Sequence, residues 1–252
     1  MEVRELDFSY GKNKVLNQIS LQIPKGKITT LIGANGCGKS TLFHVMTKNL
    51  RAQHGKIFLD GKNINEIPLK QFAKEVSIVH QYNVSPNDLT VKKLIGYGRI
   101  AHRSFGKKDK EQDEKFIHWA MEVTGITELK DRQITDLSGG QRQRVWIAMA
   151  LAQNTKILFL DEPTTYLDIR YQIEILKLLK RLNLELGMTM LVVLHDINQA
   201  IQYSDEIIAM KNGKIIAQGS PRDIATEKIL KTVYDVDLRV ENVNGNIFVL
   251  AI

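Results

Sequence analysis

The chain has 252 residues, 43% of them hydrophobic and 25% charged, with a net charge of +7, which suits one large globular domain or one domain carrying an inserted lobe. No apolar run approaches the roughly 18 residues of a membrane span, Met1–Glu5 lacks the apolar core of a signal peptide, and the single cysteine, Cys37, excludes an internal disulfide, so a cytosolic, reducing setting is expected. The positive charge admits a solvated surface, an anionic membrane face or nucleic acid; its densest cluster is Arg99 to Lys110, with Arg103, Lys107 and Lys108, and without aromatic–basic interleaving or zinc-finger spacing the solvated surface is favoured and no nucleic-acid partner is expected.

In chain order, Val3 to Phe8 alternates loosely as a strand, and Ile28-Thr29-Thr30-Leu31-Ile32 reads as a buried one. Ser40-Thr41-Leu42-Phe43 opens a helix, and Ile57-Phe58-Leu59 is strand-like before the Asp60-Gly61 turn. Val76 to Val79 is a further buried strand. Between Val84 and Leu137 polar, helix-favouring sequence dominates, with Phe116, Ala120 and Val123 on one helix face and Gly125 as a stop. Ser138 caps a helix with Val145, Ala148, Met149 and Ala152 on one face. Strands follow at Ile157–Leu160 and Met190–Leu194, separated by an amphipathic helix whose core stripe is Ile175, Leu178, Leu179, Leu182 and Leu186. Asn212-Gly213 turns a hairpin between Ile207–Met210 and Ile215–Ala217. Strands alternating with helices imply an α/β fold with a parallel sheet covered on both faces.

Three runs carry chemistry. Gly33-Ala-Asn35-Gly36-Cys37-Gly38-Lys39-Ser40 fits the loop that cradles nucleotide phosphates, placed between a buried strand and a helix N-terminus. Its glycines let backbone N–H groups approach anionic oxygens, Lys39 reaches the outer phosphates and the Ser40 hydroxyl suits Mg²⁺. The strand Ile157–Leu160 ends in Asp161 and Glu162. Successive strand side chains point to opposite sides, so Asp161 suits the metal and Glu162 the attacking water, as general base or orienter. Leu137-Ser138-Gly139-Gly140-Gln141 builds a second anion site on a helix N-terminus. A thiol at Cys37, if exposed, would have its pKa lowered by Lys39 and the helix, although a small residue tolerated at a variable position is the plainer reading.

This set resembles the nucleotide-binding subunits of ATP-binding cassette (ABC) transporters, over nearly the whole chain. The resemblance implies a P-loop NTPase with a mostly parallel core sheet. In that reading 1–83 and 138–220 form the nucleotide-binding core with an N-terminal antiparallel β subdomain, 84–137 a helical subdomain and 221–252 a C-terminal extension. It implies ATP and Mg²⁺ as cofactors. Leu137–Gln141 matches the family signature, Gln81 the glutamine that senses Mg²⁺ and the membrane partner, Tyr10 the aromatic that stacks on adenine, Asp168 the D-loop and His195 the switch histidine. Nucleotide contacts are expected from Tyr10, Gly33, Asn35, Gly36, Cys37, Gly38, Lys39, Ser40, Thr41, Ser138, Gly139, Gly140, Gln141 and Asp168. Metal contacts are expected from Ser40, Gln81 and Asp161, and catalysis from Glu162, His195, Gln81 and Lys39. The family also implies a head-to-tail dimer of two copies closing over two ATPs, with Gln81 to Asp88 and the helical lobe docking a permease. Glu162-Pro-Thr-Thr-Tyr166-Leu-Asp168-Ile169, Leu194-His-Asp-Ile-Asn198, Val91 to Arg99 and Val233-Tyr234-Asp235-Val236 look like the ATPases of ferric-siderophore, haem and vitamin B12 importers. That implies an ATPase peripheral to the cytoplasmic face of the membrane, indirectly served by an extracytoplasmic binding protein. The alternative is a soluble ABC ATPase, such as one serving iron–sulfur assembly. Tyr166 departs from the small residue that most of the family carries there.

Overall fold

The computed structural model describes residues 1–84, 86, 88–103 and 110–251. Lys107 and Lys108 of the basic cluster lie outside the described residues, as do positions 85 and 87 of the expected docking segment. The chain forms two compact units, Met1–Ile67 with Asn183–Ile252, and Pro68–Leu182.

The first unit opens with β1 (Glu2–Tyr10) and β2 (Asn13–Gln22), then β3 (Ile28–Gly33), α1 (Lys39–Met46), β4 (His54–Leu59) and β5 (Lys62–Asn63). Four of these strands make an antiparallel sheet in the order β2-β1-β4-β5. Its β1–β2 ladder carries register shifts, and Glu5 and Gln18 take positive φ, which breaks the alternation of Val3 to Phe8. Strand β3 is buried at all six positions, as its apolar run predicts.

The second unit holds α2 (Leu69–Glu75), β6 (Val76–Val79), α3 (Val91–Gly96), α4 (Lys110–Thr124), α5 (Gly139–Ala152), β7 (Ile157–Asp161) and most of α6 (Ile169–Leu186). Strands β6 and β7 pair in parallel from Val76↔Ile157 to Val79↔Leu160. The buried stripe of α4 is Ile117, Ala120, Met121 and Thr124, one step round from the expected Phe116, Ala120 and Val123. Phe116 is half-buried because the Arg99 guanidinium lies 4.4 Å from its ring centroid. On α5, Met149 is only half-buried, while Trp146, Ile147 and Leu151 join the core. On α6, Leu186 is exposed in the last turn and Leu176 is buried in addition to the expected stripe.

Arg99 anchors this unit. It is 2% exposed; its Nε donates to Asp113 Oδ1 at 2.8 Å and a terminal nitrogen to the Ala152 carbonyl at 2.9 Å. A buried guanidinium is tolerated only when paired in this way. It also satisfies the orphan carbonyl at the end of α5. Gly98 allows the approach, since a Cβ there would stand 2.1 Å from the Met149 carbonyl oxygen.

The chain then returns to the first unit with β8 (Thr189–Val193), α7 (Ile197–Tyr203), β9 (Glu206–Lys211), β10 (Lys214–Gly219), α8 (Pro221–Ile224), α9 (Glu227–Tyr234), β11 (Leu238–Val243) and β12 (Asn246–Ala251). Here β3 lies between β8 and β9, parallel to both, and β10 pairs antiparallel with β9 across the Asn212-Gly213 turn. Among the described residues no helix is long and apolar enough to cross a membrane.

Candidate functional site

In the first unit, β3 delivers the chain into residues 33–40 and α1 begins at Lys39. Gly38, at the N-cap, has φ 107° and offers no side-chain cap, so the first-turn amides of α1 keep their donors for an anion. Gly33 has φ 149°, and a Cβ there would meet the Met210 carbonyl oxygen at 2.4 Å and Cys37 Sγ at 2.7 Å. Lys39 is buried and its Nζ folds over the loop, donating to the carbonyls of Gly33 at 2.8 Å and Ala34 at 3.1 Å. Asn35, Gly36 and Ser40 are exposed and Thr41 is half-buried.

The hairpin turn backs this cradle. The Gly213 amide donates to the Cys37 carbonyl at 2.9 Å, while the Gly213 carbonyl accepts from Asn17 N at 2.8 Å. Gly213 has φ 72°, and a Cβ there would stand 2.1 Å from the Val15 carbonyl oxygen. Gly213→Ala should therefore cost about 2 kcal/mol and weaken ATP binding by loosening the loop at Cys37. Urea unfolding beside a nucleotide titration checks it, and an unchanged affinity would separate the turn from the loop.

Cys37 is 4% exposed. Burial pushes its thiol up, outweighing the nearby Lys39, so the lowered pKa of an exposed thiol does not apply. One neighbour was not expected. Tyr234, at the end of α9, has a buried hydroxyl with no hydrogen-bond partner among the described residues. Burial pushes its phenol to about 12, with Cys37 and Asp196 adding and the Gly33 backbone opposing. Only the Val233–Val236 tail hinted at it, and nothing in its spacing connected that tail to the loop.

Tyr10 is exposed at the end of β1, its ring edge-on to Phe8 at 4.8 Å between centroids. An exposed aromatic face is what base stacking requires. His195 is exposed just beyond β8, and Asp196 caps α7 by accepting from Gln199 N at 3.0 Å.

The second unit holds the other half of the expected set. Asp161 ends β7 and is buried. Glu162 does not continue the strand. It has φ 50°, so a left-handed turn, and not strand alternation, aims its carboxylate. That carboxylate accepts from Gln81 Nε2 at 2.5 Å and from Thr165 Oγ1 at 3.1 Å, all on Oε2. The structure thus brings Gln81 and Glu162 together across 81 positions of sequence. Asp168 is exposed immediately before α6. At the start of α5, Ser138 and Gln141 form a capping box: Gln141 N donates to Ser138 Oγ at 3.3 Å, and Ser138 N donates to Gln141 Oε1 at 3.0 Å. The amides of Gly139 and Gly140 are left as the helix's orphan donors. Gly140 is buried against the Tyr171 ring, where a Cβ would stand 2.5 Å from it.

A family model described as "ABC transporter" matches residues 16–165. The chain belongs to the ABC transporter family. It is an ATP-binding cassette, and ABC ATPases hydrolyse ATP to drive transport. This cassette is 47% identical over 241 residues to the iron(3+)-hydroxamate import ATP-binding protein FhuC of Bacillus subtilis (strain 168), covering 95% of this chain and 89% of that one. It is 44% identical over 230 residues to the ferric enterobactin transport ATP-binding protein FepC of Escherichia coli (strain K12), covering 91% and 85%. Among solved structures, a dimeric bacterial ABC transporter cassette matches with a TM-score of 0.76 and 27% identity, over 88% of this chain and 98% of that one.

Proposed function

We propose that this cassette is the ATP-hydrolysing subunit of an importer, powering uptake of a metal chelate (ferric siderophore, haem or cobalamin) through a separate permease. The observation that carries the reading is the match to two siderophore-import ATPases, named for iron(3+)-hydroxamate and ferric enterobactin, over more than nine-tenths of the chain. It is favoured over a soluble ABC ATPase for the same reason.

The mechanism follows from the two half-sites. The amides of residues 33–41 and the Lys39 ammonium hold the phosphates, and Tyr10 offers its face to the base. A second copy of the chain, head to tail, brings Ser138-Gly139-Gly140 with the Gly139 and Gly140 amides to the γ-phosphate, with Asp168 at the seam. Glu162 orients the attacking water and takes up its proton, and His195 touches the γ-phosphate. Catalysis is then positioning and charge stabilisation. Ser40, Asp161 and Gln81 offer hydroxyl, carboxylate and amide oxygens, the hard donors that suit Mg²⁺. When bound, that ion neutralises charge on the phosphates. Loss of the γ-phosphate removes the anion that both copies grip, and the dimer opens.

The permease docks on the second unit. A groove of about 700 Å³ there is lined by Leu69, Lys70, Tyr97, Ile100 and Arg103. Its exposed Leu69, Tyr97 and Ile100 suit the apolar face of a short helix from a membrane protein. The cassette would sit at the cytoplasmic face of the membrane, with an extracytoplasmic binding protein delivering cargo to the permease. Affinity purification of the tagged chain from detergent-solubilised native membranes tests this. A polytopic permease among the captured proteins is the expected result. Soluble partners alone, with the chain absent from the membrane fraction, would overturn the importer.

A further inference from the structure

Tyr82 and Tyr166 are 69% and 81% exposed, too open for core packing to hold them. Yet their hydroxyls lie 2.9 Å apart, with ring centroids at 6.2 Å. Tyr82 directly follows Gln81, and Tyr166 stands four positions after Glu162. The same two segments meet a second time where Gln81 donates to Glu162. The segment around Tyr166 is a tight turn: Thr165 N donates to the Glu162 carbonyl at 3.2 Å and Leu167 N to the Thr164 carbonyl at 3.3 Å. Tyr166 itself has φ 63°. A left-handed backbone disfavours a bulky L-residue, and persists where surrounding contacts over-determine it.

We infer that Tyr82 and Tyr166 form a clasp that keeps the Gln81 amide on the Glu162 carboxylate in the resting chain, and that the clasp must part before Glu162 serves water. An amide hydrogen on Oε2 occupies a lone pair that a water proton needs. The two tyrosines are positioning residues; neither touches the reacting atoms. They act through two segments already joined at Gln81 and Glu162, so one hydroxyl–hydroxyl bond governs the angle at which the amide and the carboxylate meet. The inference rests on Glu162 as the group that handles water.

The test is the ATPase rate of the purified full chain as wild type, Tyr82→Phe, Tyr166→Phe and the double variant, with Glu162→Gln beside them. Each single change removes the same hydrogen bond and keeps both rings. Each should raise basal kcat about threefold with KM for ATP unchanged. The double variant should rise no further than either single one. Singles that leave kcat unchanged, lower it, or combine multiplicatively would overturn the clasp. A role confined to stability would move the melting temperature and leave kcat where it was. The Glu162→Gln control separates the two ideas. If it turns over like wild type, the reading of Glu162 fails. If it is inactive and the tyrosine variants are indifferent, the clasp alone fails.

Discussion

Replacing Glu162 by glutamine should lower kcat about 100-fold or more, with little change in KM, and leave the chain trapped as an ATP-bound dimer. Glutamine conserves the volume of a side chain that is 9% exposed. Its amide oxygen can still accept from Gln81 and Thr165, which both donate to one carboxylate oxygen in the wild type. The left-handed turn that aims residue 162 is a backbone property and survives the change. What disappears is the capacity to take a proton from water. Turnover at saturating ATP, together with size-exclusion chromatography in ATP, reads both parts. Wild-type turnover in this variant would show that another group handles the proton.

The largest expected loss of stability comes from Asp113→Ala. The wild-type carboxylate accepts from Arg99 at 2.8 Å and from Arg103 at 3.2 Å. Alanine would leave the Arg99 guanidinium almost wholly buried without its counter-charge, at a cost of about 3 kcal/mol. The Ala152 carbonyl would remain its polar partner, which offers a hydrogen bond but no compensating charge. A melting temperature lower by several degrees is the readout. The pH dependence has a definite sign. Burial raises the Asp113 pKa, but the hydrogen bonds and charges of Arg99 and Arg103 outweigh it and hold the carboxyl below its ordinary value. A depressed folded pKa means that the contribution is complete above the unfolded pKa of about 4. It is lost as pH falls through the folded value. The gap between wild type and Asp113→Ala should therefore be constant near neutrality and narrow below about pH 4. A gap that widened on acidification would contradict the pairing.

Much of this was legible in the sequence, because the relevant signals are local. The loop at 33–40 is a glycine pattern between a buried strand and a helix, and both neighbours appear where the pattern requires them. The Ser138 cap and the Asn212-Gly213 turn were equally local. Strand β2 was hidden because Asn13–Gln22 is largely polar and bulged against β1, so no clean alternation survives. The C-terminal β11–β12 hairpin was missed because few of its residues are buried. Alternation does not account for the direction of Glu162, because it holds only while the chain stays in a strand, and φ turns positive at that residue. The Tyr82–Tyr166 contact joins residues 84 positions apart, and the burial of Cys37 depends on a tertiary environment that includes α9; neither leaves a periodic trace.

Helix α5 has one further consequence. Its first residues are Gly139 and Gly140 of the signature, and its last, Ala152, is clamped by Arg99. The next residue, Gln153, lines the groove beside Leu69 and Tyr97. Fourteen residues at 1.5 Å each make a strut about 21 Å long. Buried along most of its length, it cannot bend without opening the core. If the permease docks as proposed, a load applied at the groove would reach the signature through this helix, the way a pushrod transmits travel between two ends that never meet.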